Sequence, residues 1–173
     1  KGLDISIDSK FTYFVLPPGR SSIFKGIKNI TIIDSSYNAT PASMKVALHM
    51  YQKYPGKVKW AILSDMVELG EEEKIEHERL AQLIKNTKLD KVILMGPRMI
   101  KYTLPKVKAE AFQTPLQVLN YLKENIKGEE VLFFKGSRFL EGIIEHLLSD
   151  KKDVSKLCRR EKVWQERRKK WGL

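Results

Sequence analysis

Thr31-Ile32-Ile33-Asp34-Ser35-Ser36-Tyr37-Asn38-Ala39-Thr40-Pro41-Ala42-Ser43-Met44 sets a pattern that the rest of the chain repeats. It opens on three β-branched residues, which suit a pleated strand, and the apolar run stops at Asp34. Thr40 stands where a helix N-cap belongs, with Pro41 at the first helical position, where a missing N–H leaves no bond unmade. Beyond it Met44, Ala47, Leu48 and Tyr51 recur at i, i+3, i+4 and i+7, one face of a helix. Pro55-Gly56 then ends the pattern. A strand, a short polar turn and an amphipathic helix follow one another directly.

The alternation repeats downstream. Trp60 to Leu63 reads as a buried strand, and Glu71 to Asn86 as a helix whose acidic first turn suits the positive end of its dipole. Lys91 to Met95 is a strand, followed by Gly96-Pro97 and a short helix, and Ala109 to Phe112 is expected as a strand. Thr114-Pro115 starts a helix with Gln117 set for a capping box. Val131 to Phe134 is a strand, and Arg138 to Leu148 a helix with Phe139, Leu140, Ile143, Ile144 and Leu147 as its buried stripe. A last helix is expected from about Val154 to Trp171. Upstream, Lys10 to Leu16 is expected as a strand, halted by Pro17-Pro18-Gly19. Elements alternating at these lengths predict an α/β fold: a Rossmann-like, mostly parallel sheet with helices on both faces, plus a basic C-terminal helix.

The bulk numbers fit one domain with an appendage: 173 residues, 42% of them hydrophobic. A start at Lys1-Gly2, without methionine, suggests a fragment, a processed chain or an excised piece of a longer one. No apolar run approaches the roughly 20 residues that a membrane span needs, so no membrane span is expected. The lone Cys158 cannot form an intrachain disulfide and fits a reducing cytoplasm. Net charge is +11, of which Asp150 to Leu173 carries +6, ten Lys/Arg against four Asp/Glu. Such a tail can attract nucleic acid, but a solvated helix face is the plainer reading and nucleic acid is not the expected partner. The tail is expected to be dispensable for the fold and for activity, with Val154, Leu157, Val163, Trp164 and Trp171 able to dock it as a helix, so that its removal costs some stability and little activity.

In parallel sheets ligands gather outside the carboxyl ends of the strands, and three strand ends carry polar chemistry. The first is Asp34 to Pro41, aimed at a helix N-terminus, where an anion is welcome. The second is Ser64-Asp65-Met66-Val67-Glu68-Leu69-Gly70, and the third Lys135-Gly136-Ser137-Arg138, two cations beside a glycine that lets backbone approach a ligand. An anionic or nucleotide-like ligand suits this set. G-x-x-x-x-G-K-[ST] and G-x-G-x-x-G do not occur, and no Cys/His cluster points to zinc. The chain therefore reads as part of a site.

Taken in order with Pro18-Gly19-Arg20 and His77, these segments resemble the C-terminal domain of Mur ligases, of the MurF type, from about residue 17 to 148. The family pattern runs P-G-R, I-D-D-S-Y-N-A-N-P-x-S-M, G-D-M-x-E-L-G, a histidine, then K-G-S-R. Two departures stand out: Ser35 replaces the second aspartate and Ser64 the glycine. The resemblance implies residues 1–16 as a linker or the end of a central ATPase domain, 17–150 as the Mur ligase C-terminal domain, and 151–173 as a basic helical tail. It implies a three-domain, ATP- and Mg²⁺-dependent ligase of peptidoglycan synthesis, whose central domain holds the P-loop and Mg²⁺. The precursor carboxylate of UDP-N-acetylmuramoyl-tripeptide is activated as an acyl phosphate, and the D-Ala-D-Ala amine attacks it. The C-terminal domain closes over ATP and substrate against the N-terminal and central domains, and is expected to be inactive alone.

Residue by residue, the resemblance implies Arg20 as the catalytic cation near the ATP phosphates. It implies Asp34, Ser35 and Asn38 as nucleotide contacts, with the ribose role open between Asp34 and Ser35. Tyr37, Asp65, Glu68, Lys135, Ser137 and Arg138 are the expected substrate contacts; Asp65 and Glu68 are equally suited to capping a helix, and His77 to a solvated helix face. Two other readings stand beside this one: a free-standing nucleotide- or nucleic-acid-binding module with a basic tail, and a related ligase of the folylpolyglutamate or cyanophycin kind. Tyr37-Asn38-Ala39 argues against the latter, since relatives that take acidic amino acids more often show Tyr-Ala-His there.

Overall fold

A computed structural model describes residues 16–137 and 139–173. Six strands form one sheet in the order β1-β2-β6-β3-β4-β5. They are β1 (Ser22–Lys25), β2 (Thr31–Ser35), β3 (Lys59–Ser64), β4 (Lys91–Met95), β5 (Glu110–Phe112) and β6 (Val131–Lys135). All neighbours run parallel except β1, which pairs antiparallel with β2, Ser22 opposite Asp34. The helices are α1 (Pro41–Lys53), α2 (Glu73–Lys85), α3 (Pro115–Asn125), α4 (Leu140–Leu147) and α5 (Lys162–Lys169).

The sheet is buried on both sides because successive strand residues face opposite ways. Ile32, Ile62, Ile93, Leu132 and Phe134 pack with Val118 and Leu122 of α3 and Ile143, Ile144 and Leu147 of α4. Ile33, Ala61, Leu63, Leu94 and Phe133 pack with Met44 and Leu48 of α1 and Leu80 and Ile84 of α2. Tyr51 stacks on Phe133 at 4.8 Å, and its hydroxyl reaches the Val131 and Trp60 carbonyls at 2.6 and 3.0 Å, which ties α1 to β6 and β3. Thr40 and Ser43 close a capping box at α1, as Thr114 and Gln117 do at α3. Among the described residues no helix is long and apolar enough to cross a membrane.

The structure departs from the sequence reading in four places. Strand β1 was not expected: four residues of exposed edge, of which only Phe24 is buried, give too short an alternation to read. The short helix after β4 is a π-helical turn, Met99–Thr103, continued by a 3₁₀ turn. Helix α4 begins at Leu140 because Phe139 holds a left-handed φ of 66°. The single helix expected from Val154 to Trp171 is instead a 3₁₀ turn, Lys151–Lys156, an extended crossing, and α5. On that crossing Leu157 and Cys158 are 1% and 5% exposed, and Leu157 joins the core beneath α3 and α4. Leu157 therefore docks the tail on the body as expected, and what differs is its form, a turn and an extended crossing ahead of a short helix in place of one helix. The strand expected over Lys10 to Leu16 lies outside the described residues, save Leu16.

Candidate functional site

The last strand of the sheet, β6, lies between β2 and β3. Ser35 is paired with Lys135, and Lys135 with Leu63, so the three polar strand ends meet at one edge. Two contacts bind them. The Ser64 hydroxyl donates to the Ser137 carbonyl, a bond that a glycine at 64 could not make. The Lys135 amine donates to the Asn38 carbonyl at 3.1 Å. Gly136 permits this approach: a Cβ there would lie 2.7 Å from the Ser64 amide nitrogen.

The Pro18-Gly19-Arg20 segment docks on the same edge. The Tyr37 amide donates to the Gly19 carbonyl at 3.2 Å. Gly19 has φ 72°, and a Cβ would meet both that amide and the Cys158 sulfur at 3.0 and 3.1 Å; only glycine fits. The docking sets the exposed Arg20 guanidinium 4.7 Å from the Tyr37 ring centroid. Beside them Lys135 is 6% exposed, with no carboxylate at ion-pair distance among the described residues. Burial, and then the charge of Arg20, hold its amine below the usual lysine pKa.

A cleft of about 580 Å³ opens next to this edge, lined by Tyr37, Asn38, Val67, Glu68, Ser137, Phe139, Arg159, Glu161 and Trp164. Glu68, Phe139 and Arg159 all have left-handed φ values, 64°, 66° and 57°. Such backbones cost on the order of 1–3 kcal/mol each and gather where a surface is held for a ligand.

The expected site residues divide. Arg20, Tyr37, Asn38, Lys135 and Ser137 come together at the edge, and Glu68 faces the cleft. Ser35 is at the edge but 4% exposed, its hydroxyl 3.0 Å from that of Ser21. Asp34 is fully buried: Oδ1 accepts from the Ser36 amide at 2.9 Å, Oδ2 has no partner among the described residues, and burial raises its pKa. Asp65 is also fully buried. Its carboxylate accepts from the amides of Arg98 and Met99 at 3.1 and 3.0 Å and pairs with the Arg98 guanidinium at 3.4 Å. These contacts cap the turn after β4. His77, read as suited to a solvated face, is fully buried instead: the Met66 amide donates to Nε2 at 3.2 Å, and Nδ1 lies 2.7 Å from the Glu73 carbonyl. That arrangement requires the neutral Nδ1–H tautomer and fixes the loop that carries Glu68. Arg138 lies outside the described residues.

Arg159, Glu161 and Trp164 were not expected at the site. In the sequence they merge with a basic stretch, and the one signal of their placing is the apolar pair Leu157-Cys158 just ahead of them.

A family model described as Mur ligase, glutamate ligase domain, matches residues 19–138. The UDP-N-acetylmuramoyl-tripeptide–D-alanyl-D-alanine ligase of Rickettsia prowazekii is 33% identical over 79% of the chain and 31% of its own length. That of Bacillus subtilis is 30% identical over 75% and 30%. The crystal structure of a MurF ligase from Thermotoga maritima in complex with ADP superposes with a TM-score of 0.66 at 26% identity, covering 83% of this chain and 33% of that one. The chain thus spans about a third of the length of the curated relatives it matches. The match takes in more than half of the chain, from the docked Gly19 to the end of the β6 segment, and the chain belongs to the Mur ligase family as a glutamate ligase domain.

Proposed function

We propose that this domain serves an ATP-dependent ligase that adds D-Ala-D-Ala to UDP-N-acetylmuramoyl-tripeptide, and that it closes over nucleotide and precursor against the rest of that enzyme. The observation that carries the reading is Lys135, a buried cation that faces a second cation, Arg20, with no carboxylate at ion-pair distance among the described residues. An anion completes that charge balance. Bound ATP supplies the phosphoryl group that activates the precursor carboxylate. Arg20 and Lys135 steady the negative charge of phosphate or of the dipeptide carboxylate, and Arg20, the exposed one, meets it as the domain closes. Asp34 and Ser35 are covered, so the nucleotide contact falls to Asn38, exposed beside them. Tyr37, Glu68 and Ser137 line the space for the incoming dipeptide. Among the described residues no group of three or more His, Cys, Asp or Glu is gathered as a metal site, and Mg²⁺ is expected to be held by the rest of the enzyme.

The choice of acceptor tests the reading. ADP release by the enzyme that carries this domain, supplied with the tripeptide precursor and ATP, is expected to depend on D-Ala-D-Ala. Release that follows glutamate or aspartate instead, with D-Ala-D-Ala inert, would assign the domain to a different Mur-type ligase.

A further inference from the structure

Residues 139–173 lie beyond the family match, yet they form one side of the cleft. The junction is Arg159. Its Nη1 donates to the Ser36 carbonyl at 3.1 Å and its Nη2 to the Tyr37 carbonyl. The same Nη1 lies 3.2 Å from Glu141 Oε2 on α4. Glu141 is fully buried and also faces Arg168 at 3.5 Å, and Arg168 donates back to the Arg159 carbonyl at 2.8 Å. Side chain and main chain of Arg159 are therefore both held, in a left-handed conformation that a free residue avoids.

On the cleft side, cations and rings alternate. Arg20 lies over Tyr37, Arg159 lies 5.6 Å from the Tyr37 centroid and 5.3 Å from that of Trp164, and Arg167 covers Trp164 at 4.8 Å. A flat guanidinium can serve two carbonyls, a carboxylate and two ring faces at once, which an ammonium cannot. Most of its donors are spent on the protein, so its effect on a ligand passes through the Ser36–Tyr37 turn.

We propose that the tail is a built wall of the binding cleft and that Arg159 is a positioning residue, holding the Ser36–Tyr37 turn so that Tyr37 and Asn38 present a fixed edge to the ligand. Only the identity of that ligand rests on the ligase reading. The test is amide hydrogen exchange by NMR on the 173-residue chain, comparing Arg159→Ala, Arg159→Lys and Val154→Ala. Val154 packs against the core beneath the tail and serves as a control for lost stability. The Tyr37 amide is expected to exchange at least tenfold faster in Arg159→Ala and at least threefold faster in Arg159→Lys, with β6 amides and the Val154→Ala chain within twofold of the original at matched conditions. A Tyr37 rate in Arg159→Ala within twofold of the original, or no larger than in Val154→Ala, overturns the positioning role. Should Arg159→Ala not fold, Arg159→Lys decides: threefold supports it, and no change overturns it. Failure of the ligase reading would appear elsewhere, as turnover that does not need D-Ala-D-Ala, and would leave these exchange rates as they are.

Discussion

Lys135 is a cation in surroundings that disfavour its charge. It is 6% exposed, its amine is bonded to the Asn38 carbonyl, and Arg20 is the charged group nearest in effect. Both burial and Arg20 lower its pKa, so a bound anion must raise it again, because an anion favours the protonated amine. ADP affinity is therefore expected to be full where Lys135 is protonated and to fall as pH rises through a value below the ordinary lysine 10.5. Titration calorimetry across that range checks it. Lys135→Arg, which stays charged, is expected to flatten the dependence, and the same fall in the arginine variant would remove Lys135 from the anion site. The position of Lys135 after a strand was legible, as were Tyr37, Asn38 and Ser137, because strand ends follow from hydrophobic period. The burial of Asp34 and Asp65 was not, since an aspartate after a strand looks the same whether it faces a ligand or caps a turn across the sheet.

At the scale of elements, the tail carries the largest correction. One docked helix was expected; instead Leu157 reaches the core from an extended crossing between the Lys151–Lys156 turn and α5, 1% exposed among residues of α3 and α4. Leu157→Ala is expected to destabilise the chain by roughly 2–5 kcal/mol, the usual cost of a buried leucine cavity. Urea unfolding followed by circular dichroism measures it, and a loss under about 0.5 kcal/mol, the range typical of surface positions, would return the tail to the surface. The crossing escaped notice because an extended segment with a single buried pair has no period. Strand β1 escaped for the same reason, with one buried phenylalanine in four residues. The capped helices α1 and α3 were legible to the residue, because Thr-Pro pairs at 40–41 and 114–115 mark a start by local chemistry alone.

For the whole molecule, topology makes the site. Insertion of the last strand, β6, between β2 and β3 gathers three segments that lie far apart in sequence, and the tail closes the cleft from the other side. No P-loop motif is present in the chain, so on the proposed function turnover needs the rest of the enzyme, and this domain brings a cation, Arg20, to the phosphates on closure. Steady-state kinetics of Arg20→Ala in the enzyme that carries the domain, with ATP, the tripeptide precursor and D-Ala-D-Ala, checks that role. A charge that acts mainly in the closed state stabilises the transition state more than bound substrate. The kcat is expected to fall by about a hundredfold or more, the effect of losing a donor worth about 3 kcal/mol in a closed site, with a smaller change in KM for the dipeptide. A folded Arg20→Ala enzyme that ligates at near the parental rate would take Arg20 out of the phosphate site and leave it a hinge residue.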